Sequence, residues 1–217
     1  MSDKLYYKTT DPLLLEILKT LMASEEFDAF RLVGGTGLSL QRGHRKSIGI
    51  DLFSDATYDS IDFIAIEAFL HQNFTYVDSN NSEIVGLGKS YFVGRSKKDC
   101  VKLDLFYTDK FIQDIFLVDG IRMASIEEII SMKIDVISRG GRKKDFWDIH
   151  ELMDDYSIEK MLALHKQRHP YTHNEEQIRS NFSNFLDADG DFEPICLKDK
   201  HWEIIKLDMI DFAKYPC

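Results

Sequence analysis

The chain has 217 residues, of which 44% are hydrophobic and 29% are charged. That composition is ordinary for a water-soluble globular protein with a substantial core. No apolar run approaches the roughly 20 residues of a membrane span, and residues 1–11 lack the basic-then-apolar order of a signal peptide. The net charge of −10 excludes a protein that coats nucleic acid by charge alone. We therefore expect a cytoplasmic protein with no membrane partner.

The cysteines and histidines carry little signal by spacing alone. Cys100, Cys196 and Cys217 are far apart, which predicts neither a disulfide framework nor a zinc site. Three histidines are spaced four residues apart, at His165, His169 and His173. This spacing can place His165 and His169 on one helix face. Pro170 interrupts this helix pattern, and no carboxylate has a convincing position beside the histidines. A solvated helix end is the favoured interpretation over a metal site.

The first part of the chain mixes amphipathic helices with short apolar runs. Residues 11–26 fit an opening helix, with Asp11 as N-cap and Pro12 in the first turn. Residues 61–73 have the spacing of a second helix. Strands are predicted at residues 30–33, 48–53, 74–78, 83–87, 90–94, 101–107, 116–118 and 121–124.

Beyond residue 124 the pattern becomes helical. Ser125 and Glu128 form a capping-box pattern, which starts a helix that ends near Ser138. Further helices are predicted at residues 143–154, 158–169 and 174–186, and residues 202–215 fit either a final helix or a strand–helix element. The sequence therefore predicts an α+β protein in two parts. A mixed sheet flanked by helices occupies residues 1–124, and a mainly helical domain occupies residues 125–217.

Residues 31–55 have the pattern with the clearest chemical meaning. An apolar run ends at Gly34-Gly35-Thr36, a helix-compatible segment follows over residues 37–42, and a second apolar run carries Asp51. Glycines let backbone N–H groups approach an anion, and a helix N-terminus favours negative charge. A carboxylate beside a phosphate indicates a divalent cation between them. The whole pattern is typical of a metal-dependent nucleotide site, whereas a Gly-Gly pair alone is more often a plain turn.

Asp104 is a second carboxylate in a mainly apolar strand. Residues 101–107 alternate, so that Lys102 and Asp104 share one face and Val101 and Leu103 the other. If this strand lies beside residues 48–53, Asp51 and Asp104 face the same metal. The alternative is an ordinary half-exposed strand with a polar outer face.

Three charged residues in the helical part are further candidates. Lys133 lies near the apolar stripe of its helix, where it either reaches toward the first domain or snorkels past the core. Asp145 and Asp148 are i, i+3 neighbours on one side of the next helix. Asp145 is in the first turn, where the helix dipole is a sufficient structural reason for a carboxylate.

In chain order, the motifs are Gly34-Gly35-Thr36, Arg45-x-Ser47-x-x-x-Asp51-Leu52-Phe53 and Lys144-Asp145-Phe146-x-Asp148. With these motifs the sequence resembles the AbiEii/AbiGii-type nucleotidyltransferase toxins. That family belongs to the polymerase-β-like nucleotidyltransferase superfamily and occurs in type IV toxin–antitoxin and abortive-infection systems. The resemblance covers residues 10–155.

The resemblance implies Mg²⁺- or Mn²⁺-dependent transfer of a nucleotide from a nucleoside triphosphate to an acceptor. For some relatives the acceptor is the end of tRNA; another RNA, a protein hydroxyl or a small molecule is also open here. Whether a cognate antitoxin binds the protein as a partner is open as well. Asp51 and Asp104 would bind metal, with Asp104 as ligand or base. Lys133 would neutralise phosphate charge, and Asp145 or Asp148 would complete the helical motif. The implied nucleotide-binding residues are Gly34, Gly35, Thr36, Arg45, Ser47, Lys102, Lys144 and Asp145.

One position departs from the family pattern. The family's strand has Asp-x-Asp, and the corresponding residues here are Gly49-Ile50-Asp51. Two-metal phosphoryl transfer uses both carboxylates to hold the ions, so Gly49 implies impaired activity. The alternative function is a non-catalytic protein that binds a nucleotide or a partner.

Overall fold

A mixed seven-stranded sheet organises the residues that the computed structural model describes, which are 4–79 and 86–214. β2 pairs parallel with β5 and β1 with β7, and the other neighbouring strands are antiparallel. The order across the sheet is β3-β4-β5-β2-β1-β7-β6. The strands are β1 (Arg31–Leu32), β2 (Gly49–Ser54), β3 (Tyr76–Ser79), β4 (Gly88–Ser96), β5 (Asp99–Tyr107), β6 (Phe116–Val118) and β7 (Ile121–Met123).

Helices cover the sheet and form the second half of the chain, which confirms the α+β prediction. In chain order they are α1 (Pro12–Met22), α2 (Gly34–Arg42), α3 (Phe63–Asn73), α4 (Ile126–Ile137), α5 (Lys143–His150), α6 (Ile158–Arg168), α7 (Glu175–Asn181), α8 (Leu186–Asp189) and α9 (Trp202–Lys214). Within residues 4–79 and 86–214, no helix is both long enough and apolar enough to cross a bilayer.

The caps of α1 and α4 form where the sequence predicts them, with one difference. Asp11 Oδ1 accepts a hydrogen bond from Leu14 N at 2.8 Å, and Ser125 Oγ accepts one from Glu128 N at 3.2 Å. The carboxylate of Glu128 does not return to the cap, so the predicted capping box is only half made. It accepts from the backbone N–H groups of Ile112 and Gln113 at 2.7 and 3.0 Å and pairs with Arg168.

Several other predicted elements differ in extent. The opening helix ends at Met22 instead of residue 26, and α5 ends at His150 instead of residue 154. The helix after the glycine turn starts at Gly34 instead of residue 37. The single helix predicted over residues 174–186 is two short helices, α7 and α8. Residues 83–85 of the predicted strand 83–87 lie outside the described residues, and residues 86–87 form a turn before β4.

The apolar core consists of two clusters. One lies between the sheet and helices α1 and α3, with Leu14, Leu52 and Leu103 fully buried. The other joins α2 to the C-terminal helices, around Ile134, Phe146 and Trp147. The predicted domain boundary at residue 124 stays a prediction.

Candidate active site

Two carboxylates meet on neighbouring parallel strands. In the register of β2 and β5, Asp51 is opposite Asp104 and Gly49 is opposite Lys102. Residues that alternate along a strand point to opposite faces, and Ile50, Leu52 and Leu103 are buried in the core. Asp51 and Asp104 therefore share the other face of the sheet, as the sequence predicted for the case in which these strands are neighbours.

The glycine turn brings the start of α2 against Asp51. Gly34 has φ +63°, in the left-handed region that favours glycine. A Cβ at Gly34 would lie only 2.7 Å from Asp51 Oδ2. The N-cap residue is Val33, which offers no side-chain hydrogen bond to the first turn of α2. The first turn of a helix has N–H groups without an intrahelical acceptor, and they favour an anion.

Thr36 and Ser47 hold the beginning of β2 to this turn. Thr36 is buried, and its Oγ1 lies 2.7 Å from Ser47 Oγ and also contacts the Gly49 carbonyl oxygen. A threonine hydroxyl donates only one hydrogen bond. We therefore assign Thr36 as the donor to the Gly49 carbonyl oxygen, and Ser47 as the donor to Thr36 Oγ1. The Thr36 side chain thus points into the protein, and its backbone lies at the start of α2.

A buried ion cluster lies behind the carboxylates. Asp148 is fully buried and accepts from Arg45 Nε at 2.6 Å and Arg45 Nη2 at 2.8 Å. His44 Nε2 and Lys133 Nζ lie 2.8 and 2.7 Å from the same carboxylate. Lys133 Nζ is also 2.6 Å from Asp145 Oδ1, and Asp145 Oδ2 accepts from Arg142 N at 3.0 Å, which caps α5.

This cluster corrects the simpler interpretation of Lys133. Snorkelling would bring its ammonium to water, whereas Lys133 is 6% exposed and pairs with two carboxylates of α5. Burial alone would lower the pKa of Lys133, but Asp148 and Asp145 raise it above its usual value. Burial likewise opposes ionisation of Asp148, yet Arg45 and Lys133 hold the pKa of Asp148 well below its usual range. Lys133, Arg45, Asp145 and Asp148 are therefore charged at neutral pH. Burial lowers the pKa of His44, so its imidazole is neutral there.

Asp51, beside Asp104 on the sheet, has the opposite electrostatic environment to Asp148, because its pKa is raised instead of lowered. Burial and the neighbouring charge of Asp104 raise the pKa of Asp51, while Lys144, Lys133 and Lys102 oppose that rise. Burial, with Arg142 and Lys133 nearby, lowers the pKa of Lys144. In the part of the chain that the structure describes, Lys144 Nζ has no hydrogen bond or ion pair. Added positive charge beside Asp51 and Asp104 would therefore be favourable.

Asp104 has two close partners on the sheet surface. Ser90 Oγ donates to Asp104 Oδ1 at 2.5 Å, and Lys102 Nζ lies 2.6 Å from Asp104 Oδ2. Lys102 is half exposed and can leave, so both Asp51 and Asp104 are suitable oxygen ligands for a hard divalent cation. Gly49 contributes no carboxylate. Among the described residues, a Cβ at this position would meet only the Lys102 carbonyl oxygen, at an ordinary 3.5 Å.

The structure thus separates the predicted residues into two layers. The surface layer contains Gly34, Gly35, Asp51, Lys102, Asp104 and Lys144, and the buried layer contains Thr36, Arg45, Lys133, Asp145 and Asp148. Ser47 joins the two layers through Thr36. Sequence reasoning missed His44 and Ser90. Ser90 is found only from the antiparallel register of β4 with β5, which places it opposite Asp104.

Comparison with known proteins identifies the family to which this chain belongs. Residues 16–214 match the family described as nucleotidyl transferase AbiEii toxin, type IV TA system. The chain belongs to the AbiEii family. The match extends beyond the resemblance seen in the sequence, since it includes the C-terminal helices up to α9.

Solved structures similar to this AbiEii chain share its fold. JHP933 from Helicobacter pylori is 19% identical, with a TM-score of 0.57 over 93% of this chain and 88% of that one. MenT4, a nucleotidyltransferase toxin from Mycobacterium tuberculosis H37Rv, is 15% identical, with a TM-score of 0.54 over 91% of this chain and 80% of that one. A search of curated proteins finds no significant match.

Proposed function

We propose that this AbiEii protein transfers a nucleotide from a nucleoside triphosphate to an RNA acceptor, with Mg²⁺ or Mn²⁺ as cofactor. The observation that carries the proposal is the position of Asp51 and Asp104, side by side on parallel strands and against the start of α2. Carboxylates beside a helix N-terminus are repulsive toward a triphosphate unless a cation lies between them. As a type IV toxin, the protein would be controlled by a cognate antitoxin.

The residues of the surface layer would act on the donor directly. Asp51 and Asp104 would hold the metal, which supplies charge neutralisation at the triphosphate when bound. The backbone N–H groups of Gly34 and Gly35 would donate to phosphate oxygens. Lys144 would add positive charge on the same side, since it is near Asp51 and has no ion-pair partner among the described residues. Asp104 would also accept the proton of the acceptor hydroxyl.

The residues of the buried layer would act through others. Arg45 lies against Gly35, since a Cβ on that glycine would collide with its guanidinium. Asp148 holds Arg45 in that position by two hydrogen bonds, and Asp145 and Asp148 together hold Lys133. We therefore assign Asp145 and Asp148 as positioning residues, with Arg45 and Lys133 as the positive field behind the phosphates.

Gly49 favours a second candidate function. Without the first carboxylate of the pair, the site has two metal ligands from β2 and β5 instead of three. Such a site binds a metal and a triphosphate more readily than it aligns them for transfer, because alignment requires both ions to be held rigidly. The second candidate is therefore a nucleotide-binding protein without transfer activity.

The test is incorporation of label from each of the four α-labelled nucleoside triphosphates, with Mg²⁺ or Mn²⁺, total tRNA and cell extract. Label in RNA supports the transferase and names the donor. The Asp104→Asn variant should lose incorporation, whereas Asp99→Asn, an exposed carboxylate on the same strand, should keep it. Label in protein would move the acceptor to a protein hydroxyl.

Absence of incorporation with every donor would overturn the transferase. In that case, triphosphate binding that depends on Mg²⁺ and on Asp104 would support the second candidate. Absence of both activities in a folded sample would contradict the whole assignment of this site.

A further inference from the structure

A second cluster of metal-ligating side chains lies away from the candidate active site. Asp135 on α4 meets His165 of α6 and His169, which follows the end of α6. Each residue offers one ligand atom, and these three atoms lie within 4.8 Å of one another. Asp135 is two residues after Lys133, and positions two apart lie on nearly opposite sides of a helix. The cluster therefore faces α6, while Lys133 faces α5.

Within residues 4–79 and 86–214, two imidazole nitrogens of this cluster have no hydrogen-bond partner. His165 is 1% exposed, and its Nε2 is buried without a partner among the described residues. The nearest carboxylate oxygen, Asp135 Oδ1, is 3.7 Å away, which is too long for a hydrogen bond. Nε2 of His169 is also buried and unpartnered in this part of the chain. A buried polar atom without a hydrogen bond costs free energy of folding, so two such nitrogens side by side indicate a ligand that binds them.

His173 supplies the arrangement that usually surrounds a metal-binding histidine. Its Nδ1 lies 2.8 Å from Nδ1 of His165, so one of these two nitrogens donates a proton to the other. A histidine that binds metal through one nitrogen commonly donates the other N–H to a fixed acceptor. If His165 Nδ1 is the donor, its Nε2 carries a free lone pair directed toward the side of Asp135.

We propose that Asp135, His165 and His169 bind a divalent transition metal, with Zn²⁺ as the best fit, and that His173 orients His165. Two imidazole nitrogens and one carboxylate oxygen are a ligand set that Zn²⁺ accepts, with water in the fourth position. Tetrahedral bonds of about 2.0–2.1 Å place ligand atoms about 3.3 Å apart. The 3.7 Å between His165 and Asp135 is near that value, and the ligand atom of His169 lies within 4.8 Å of both.

The bound metal would join α4 to the C-terminal end of α6. Both helices belong to the same apolar cluster through Ile134 and Leu162, and α4 carries Lys133 on its other side. The metal would therefore stabilise the helical half and the frame of Lys133 without touching the nucleotide. Mg²⁺ does not replace it, because Mg²⁺ prefers an octahedral oxygen environment.

The experiment titrates Zn²⁺ into untagged, chelator-stripped protein in excess Mg²⁺, and follows the heat of binding and the melting temperature. We expect one Zn²⁺ per chain and a rise in the melting temperature. The His169→Ala and Asp135→Asn variants should bind at least 10-fold more weakly, and His173→Ala about 10- to 100-fold more weakly. His71→Ala is the matched control, since His71 is an exposed histidine on α3, and it should bind as the unmodified chain does.

Three results would overturn the proposal. One is the absence of saturable Zn²⁺ binding to the unmodified chain. Another is unchanged affinity in His169→Ala with native circular dichroism. The third is loss of Zn²⁺ binding in Asp51→Asn together with retention in Asp135→Asn, which would place the ion at the candidate active site.

Discussion

Replacement of Gly49 by Asp restores the carboxylate that the family pattern has at this position. The structure has room for it, since the Lys102 carbonyl oxygen, at 3.5 Å, is the only atom of the described part of the chain that a Cβ here would meet. The position lies on β2 two residues before Asp51, so the new carboxylate points to the same face as Asp51 and Asp104. Gly49→Asp therefore completes a set of three carboxylates without disturbing the strand.

The expected increase in the rate of nucleotide transfer follows from the electrostatic interaction between the new carboxylate and the metal ion. Two unit charges about 4 Å apart interact by about 4 kcal/mol at an effective dielectric constant near 20. Loss of one preorganised electrostatic contact in an active site typically lowers the rate by about 10²–10³. We therefore expect Gly49→Asp to raise the rate of nucleotide transfer by about 100-fold or more at saturating Mg²⁺.

The same substitution should destabilise the metal-free protein. Burial and Asp104 already raise the pKa of Asp51, and a third carboxylate adds repulsion. The melting temperature of Gly49→Asp should fall without Mg²⁺ and recover when Mg²⁺ is added. The assay is label transfer from a nucleoside triphosphate at several Mg²⁺ concentrations, with Gly49→Asn as an uncharged control of the same shape. An unchanged rate in a folded Gly49→Asp protein that binds Mg²⁺ would refute the reasoning.

Three further predictions concern the residues around this position. Gly34→Ala should lower the free energy of unfolding by about 1–2 kcal/mol, because Gly34 has a positive φ, and it should weaken triphosphate binding, because the new Cβ collides with Asp51. Gly120→Ala is the control, since Gly120 also has a positive φ but no described atom lies near its Cβ position. Equal losses of triphosphate binding in the two variants would exclude the collision as the cause. Asp51→Asn should stabilise the metal-free protein at pH 7, because burial and Asp104 raise the pKa of Asp51 and so make its charged form costly in the folded state. This cost appears as the pH rises from the ordinary value of 3.8 through the folded pKa, so the gain should vanish near pH 3. Urea unfolding that shows no gain at pH 7 would contradict the prediction. Asp148→Asn should lower the free energy of unfolding in urea by about 3–5 kcal/mol, because Arg45 and Lys133 lose their buried partner. The lowered pKa of Asp148 contributes stability above about pH 4, and this stability is lost as the pH falls through the folded pKa. A difference between the two proteins that persists unchanged in acid would argue against this cluster.

Local signals predicted most of the secondary structure. The opening helix was placed by Asp11, Pro12 and a stripe of leucines, and all of these act within one helical turn or one helix face. The chemical nature of Asp51 and Asp104 was also readable, because a charge in an apolar strand needs a partner. The order of the strands was not readable, since the adjacency of β2 and β5 depends on the whole sheet.

The errors arose where one residue depends on a distant helix. Lys133 is buried because the chain reverses at Gly140 and Gly141, both with positive φ, and brings Asp145 and Asp148 of α5 onto α4. The interpretation of His165 as part of a solvated helix end is also wrong. His165 is buried, and the carboxylate that appeared to be missing is Asp135, which packing of α4 on α6 brings to it. Neither the contact of Lys133 with α5 nor that of His165 with Asp135 can be predicted from the local periodicity of the sequence.

The central claim is that Gly34, Asp51 and Asp104 form a site for a metal-bound triphosphate. The most direct measurement is isothermal titration calorimetry of a non-hydrolysable nucleoside triphosphate, with and without Mg²⁺, on the unmodified chain and on Asp51→Asn. We predict saturable heat that requires Mg²⁺ and is lost in Asp51→Asn. Absence of heat with Mg²⁺, or equal heat from the two proteins, would contradict the claim.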